Sequence, residues 1–168
     1  MTGMITLIGS TWADKRPATI SYRPAAPEDA EGLAKLFFTA YEDGSVNSQA
    51  EALEIIQQLF DGEFGSLLPE ASPVVEDDSG KIIAAALVLD RRRGEDLPQS
   101  PYIFELFTAA SRRREGLAEQ LVRTAIDRLH HSGYDDVALR ISEDNAAALA
   151  LYLALDFHRW NPESDEEL

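Results

Sequence analysis

Residues 101–131, PYIFELFTAASRRREGLAEQLVRTAIDRLHH, constrain the fold of this chain more than any other stretch. They read as a strand, a short basic turn and a long amphipathic helix. The strand, 102–109, is apolar and aromatic with one carboxylate, Glu105, inside it. The helix starts near Gly116 and repeats apolar residues at Leu117, Leu121, Val122, Ala125, Ile126 and Leu129. That spacing makes one wide stripe on a 3.6-residue period, and Gly133 stops it.

The turn between strand and helix holds Arg112, Arg113, Arg114, Glu115 and Gly116. The first amides of a helix have no intrahelical partner, and the helix dipole adds partial positive charge there. A Gly and several Arg at such a turn therefore suit a phosphate. Gly116 lets a ligand approach the backbone, and Ala118 keeps the first helical turn small. An ordinary connection with solvated arginines accounts for the same residues equally well.

A second motif follows in order. Arg113-Arg114-Glu115-Gly116-Leu117-Ala118 fits an Arg/Gln-x-x-Gly-x-Gly/Ala signature, and Asn145-Ala146-Ala147-Ala148-Leu149-Ala150-Leu151-Tyr152 fits Asn-x-x-Ala-x-x-Leu-Tyr. Over residues 18–160 the chain resembles the GNAT superfamily of acetyl-CoA-dependent N-acetyltransferases. The resemblance implies an α/β (α+β) fold, a mixed and mostly antiparallel central sheet flanked by helices on both faces. One domain over 1–161 is expected, with an N-terminal extension 1–17 of open role; the acidic stretch 162–168, without apolar pattern, is expected to be a disordered tail. The resemblance implies acetyl-CoA as acyl-donor co-substrate and a small-molecule or protein amine as acceptor, with direct attack in a ternary complex, and it admits a homodimer.

Site residues follow from the same resemblance. The pyrophosphate is expected on the backbone amides of Arg113, Arg114, Glu115, Gly116, Leu117 and Ala118. The pantetheine arm is expected along Leu106, Phe107 and Thr108, with Asn145 on its other side. Tyr152 is expected near the thioester sulfur as general acid. Glu105 is expected as general base, because the corresponding strand often bears an acidic residue facing the acceptor; a salt bridge at the edge of the core suits it as well. Thr108, Ala110, Arg114, Glu115 and Asp156 depart from the family pattern, Asp156 standing where Gly is usual. A non-catalytic acyl-CoA sensor or a protein-interaction domain are the alternative readings.

Composition narrows the partners. The chain has 168 residues, no cysteine and a net charge of −15. Disulfide and thiolate chemistry are excluded, and no metal site is expected from His130 and His131 alone. These two His end a helix, where a cation suits the dipole; His158 is the third conventional base. The charge argues against nucleic acid and favours approach of cations. Two Arg triplets, 91–93 and 112–114, hold six of the fifteen Lys and Arg, the obvious places to receive a polyanion. No apolar run is long enough for a membrane span and the first residues lack a signal-peptide pattern, so the expected location is cytoplasmic.

Elsewhere the pattern predicts an edge strand at 5–8, a strand at 18–23 and a helix opened by Pro27, Glu28 and Asp29. That helix carries Ala30, Leu33, Ala34, Phe37 and Tyr41 and ends at 42–44. Ser48 and Glu51 form a capping box for a second helix. The family resemblance implies that these helices and the loop after them border the acceptor site, which makes Phe37, Phe38, Tyr41 and Phe64 candidate substrate contacts, with a place in the core as the stronger role for each. Residues 73–76 and 81–89 form a hairpin about a Gly-containing turn. Further on come a strand at 136–142, a helix at 146–155 capped by Asp144 or Asn145, and a short strand at 157–160. The family's usual final strand has no counterpart after this point.

Overall fold

The computed structural model describes residues 3–16, 19–40, 46–94, 97–113 and 115–161. Its strands are β1 Met4–Ser10, β2 Arg23–Pro24, β3 Pro73–Glu76, β4 Ile82–Leu89, β5 Tyr102–Thr108, β6 Asp136–Ser142 and β7 His158–Arg159. They form one seven-stranded sheet in the order β2-β3-β4-β5-β6-β1-β7. All pairings are antiparallel except β5 with β6. The helices are α1 Ala30–Ala40, α2 Gln49–Phe60, α3 Leu117–His131 and α4 Ala146–Ala154. The mixed sheet with helices on both faces is the expected fold.

Local chemistry explains most boundaries. Pro27 opens a short 3-10 turn ahead of α1, and the Asp29 carboxylate accepts the Ala26 amide at 2.8 Å. The Ser48 hydroxyl accepts the Glu51 amide at the start of α2, and Gly62 turns the chain at φ 83° just beyond its end. In the β3–β4 turn the Asp77 carboxylate accepts the Ser79 and Lys81 amides. Asn145 accepts the Ala148 amide and caps α4. Residues 41–45, where α1 was expected to end, and the tail 162–168 lie outside the described residues.

β4 is buried along its whole length, as an apolar central strand should be. On one side it meets Leu33, Phe37, Ile56 and Leu59 of α1 and α2. On the other, Val88 packs with Val122, Ile126 and Leu129 of α3 and with Tyr152 and Phe157. No helix among the described residues is long and apolar enough to cross a membrane.

Two expectations fail. Of the expected strand at 18–23, Arg23 alone among the described residues 19–23 enters a strand, and residue 18 lies outside them. Pro24 has no amide for a longer ladder, and Thr19 is taken by Gln120 of α3, through its amide at 3.1 Å and its hydroxyl at 2.7 Å. The 5–8 segment is a strand but not an edge. β1 pairs over seven residues with β6, from Met4↔Ser142 to Ser10↔Asp136, and β7 adds on its far side. The N-terminal extension thus supplies the strand next to this edge of the sheet, between β6 and β7. Trp12 finds its cover under the Arg123 guanidinium, 5.8 Å from the ring centre.

Candidate active site

β5 and β6 pair at a single position, Tyr102↔Ala138, with the Ala138 amide bonded to the Pro101 carbonyl at 2.8 Å. Beyond it both strands continue unpaired with each other, and a gap opens through the sheet. Ile103, Glu105 and Leu106 line it from β5, Leu139, Arg140 and Ile141 from β6, and Asn145, Ala148 and Tyr152 from the α4 side. It shares Leu106 and Ala148 with a neighbouring cleft of about 260 Å³ bordered by Phe107, Thr108, Arg113 and Ala118. The cleft runs to the start of α3.

That start has the chemistry expected for a phosphate. No side chain caps it, and the Gly116 carbonyl already accepts the Gln120 amide at 3.2 Å. The amides ahead of Gln120 belong to the turn that a helix leaves unpartnered. Gly116 is left-handed at φ 75°, and nothing lies within 4 Å of where a Cβ would stand. The exposed Glu115 carboxylate lies 3.9 Å from the Arg112 guanidinium, which offsets the repulsion its charge would bring. Arg113 lines the cleft, but its guanidinium donates to the Ala40 carbonyl at 2.6 Å. It therefore ties the turn to the end of α1. Leu117 is buried against Leu121 and Ala84, so its side chain is committed to the core. Arg114 lies outside the described residues.

Along β5, Leu106 and Thr108 border the cleft, while the Phe107 ring also stacks on Phe37 at 5.4 Å. Phe37 is core, as its stronger role implied; Phe38 is exposed, and Tyr41 lies outside the described residues. A β-bulge sits in this strand: Glu105 pairs with Leu87 but Ile103 with Val88, leaving Phe104 extra. Sequence reading missed this feature. A bulge puts two neighbours on one face and loosens the ladder. Phe104 packs with the core under α1 and α2, and Leu87 opposite Glu105 belongs to the same core. Phe64 stacks on Phe104 at 5.0 Å.

Tyr152 reaches the gap from the opposite helical layer. It is buried, 5.3 Å from the Phe157 ring. Burial pushes its phenol well above the ordinary value, and the charge of Glu105 adds to the effect. The two expected catalytic residues therefore meet at one gap from different faces of the sheet. Asp156 holds a left-handed backbone at φ 67°, which explains why a glycine is usual there. His158 is exposed on β7, and His131 bonds to its own helix through the Asp127 carbonyl at 2.8 Å. Among the described residues no group of three or more His, Asp or Glu could hold a metal.

The family model described as Acetyltransferase (GNAT) family matches residues 30–157. N-acetyltransferase 8F1 of Rattus norvegicus is 35% identical over 78 residues, covering 46% of this chain and 34% of its own length. The chain thus spans about a third of that relative. The crystal structure of a GCN5-related N-acetyltransferase from Sphaerobacter thermophilus superposes with a TM-score of 0.69 at 17% identity, over 95% of this chain and 49% of that one. Aminoglycoside N-acetyltransferase AAC(6')-Iy in complex with CoA does so with a TM-score of 0.63 at 18% identity, over 88% of this chain and 93% of that one. At these identities the solved structures establish the shared fold.

Proposed function

This chain belongs to the acetyltransferase (GNAT) family, and on that premise we propose that it is an N-acetyltransferase that moves an acetyl group from acetyl-CoA to a primary amine by direct attack in a ternary complex. One observation carries the reading: two neighbouring clefts with Leu106 and Ala148 in common, one bordered by Arg113 and Ala118 at the uncapped start of α3, the other by Glu105 and Tyr152. Acetyl-CoA brings an activated thioester, so the protein has to hold, orient and move protons.

The turn 113–118 suits the pyrophosphate by its amides, and the parted edges of β5 and β6 suit the pantetheine arm. Glu105, directly or through water, takes a proton from the acceptor ammonium, whose pKa near 10 would otherwise keep it charged. The new N–C bond forms as the C–S bond breaks, and backbone amides at the bulge are the candidate donors to the carbonyl oxygen. Tyr152 faces the leaving sulfur. A phenol held above its usual value stays protonated, yet full transfer to a thiolate of pKa about 8.5 is uphill. Its role is then hydrogen-bond donation to the sulfur, with the thiol proton arriving from the amine by way of Glu105 or water.

The test combines binding and turnover. Acetyl-CoA at 100 times its dissociation constant adds about 2.7 kcal/mol, a rise of several degrees in Tm. Release of free CoA with an amine panel should accompany it. No shift at millimolar acetyl-CoA would end the reading. A shift without CoA release from any amine would favour the acyl-CoA sensor.

A further inference from the structure

The gap between β5 and β6 carries a basic rim that acetyl transfer itself does not require. Arg92 follows β4 and folds back over β5. Its guanidinium carbon lies 5.3 Å from the Tyr102 ring centre and 5.2 Å from that of Phe104, and its Nη1 is 3.4 Å from the Tyr102 hydroxyl. Phe64, stacked on Phe104, stiffens this platform. Within the triplet, Arg91 and Arg93 are exposed and only Arg92 is drawn in.

Arg140 stands across the gap. It lies two residues past Ala138, the partner of Tyr102, and lines the same gap as Phe104. On β6 it alternates with buried Leu139 and Ile141, which face α3 and α4. It therefore projects to the side that Arg92 and Tyr102 occupy, and it lines the gap with Glu105. The Tyr102 phenol feels Arg92, Arg140 and Glu105 together. Among the described residues neither guanidinium enters an ion pair. Two cations and one carboxylate thus make a local positive site in a chain of net charge −15.

We propose that Arg92 and Arg140 receive a carboxylate of the acceptor, so that the amine acetylated beside Glu105 belongs to a small, amino-acid-like molecule. This rests on the acetyl-transfer reading of the cleft. A guanidinium matches a carboxylate in charge and in its forked geometry. A polyamine or aminoglycoside would bring further positive charge against both arginines. The aromatic platform offers an apolar wall for the rest of the acceptor.

Isothermal titration of the CoA-loaded full chain compares N-acetylphenylalanine with its amide, a pair that differs in the carboxylate and has no amine to titrate. The acid binds about tenfold more tightly or better, and Arg140→Gln or Arg92→Gln brings the pair within about twofold. Arg140 is exposed, so its replacement leaves Tm unchanged, whereas Arg92→Gln is checked by its melting curve. Turnover is the second readout. By kcat/KM, phenylalanine exceeds phenylalaninamide, spermidine is poorest, and the loss in Arg140→Gln falls on KM rather than kcat. Equal or absent binding of acid and amide, or spermidine outrunning phenylalanine, overturns the assignment. The failures are separable. A chain whose Tm ignores acetyl-CoA lacks the donor site, and both readings fall. One that binds acetyl-CoA and releases CoA with spermidine or the amide first loses the carboxylate assignment alone.

Discussion

Tyr152 and Glu105 show what a single side chain contributes here. Tyr152 is held protonated by burial and by the Glu105 charge, so its hydroxyl can serve as a donor throughout the neutral range. Tyr152→Phe is expected to lower kcat by about tenfold to a hundredfold and to leave acetyl-CoA affinity, read by calorimetry, within about twofold. In the wild type, kcat should show no falling limb from this phenol below about pH 10. An unchanged kcat in the variant would remove the role. The sequence singled out both as candidates through the family resemblance, Tyr152 by its motif and Glu105 as the lone carboxylate of the corresponding strand. Their meeting was not legible, because it depends on the single β5–β6 pairing and on the bulge at Phe104. Register of that kind is set by strands distant in sequence. Arg113 shows the converse. Its motif position was plain, but its bond to the Ala40 carbonyl comes from packing α1 against the turn.

At the scale of elements, α2, β4, β6, α3 and α4 followed from periodicity and caps because those signals lie within a few residues. β1 did not, since nothing in MITLIGS tells an edge strand from an inserted one. Its place is recorded at Gly9, where a Cβ would stand 2.8 Å from the Phe157 ring. Gly9→Ala should therefore cost about 1–3 kcal/mol, measured by chemical denaturation; a neutral result would mean that β1 packs less closely on that ring. The entry to α1 depends on charge. Asp29, 9% exposed, accepts the Ala26 amide and pairs with Arg23 at 2.8 Å, and Arg23 holds its carboxyl below the usual range. A depressed carboxyl stabilises the fold above its unfolded value of about pH 4, and that contribution fades as pH falls through the folded value. Asp29→Asn should cost about 2 kcal/mol at pH 7 and progressively less in acid. A penalty equal at pH 7 and pH 3 would contradict the pairing.

For the whole molecule, a net charge of −15 on 168 residues means self-repulsion in the compact state. Raising NaCl from about 0.01 to 0.3 M shortens the Debye length from about 30 Å to below 8 Å. Tm in a thermal melt should rise by a few degrees; a fall would show that the attractive pairs outweigh the repulsion. The arrangement of β1 between β6 and β7 also sets an order of events during synthesis. The earliest of the seven strands waits for the latest two, since residues 4–10 pair with 136–142 and 158–159. Until those emerge from the ribosome, β1 has two open edges, a hazard for association with other nascent chains. The sheet closes only once residues 158–159 have been translated, and closing so long a loop is slow.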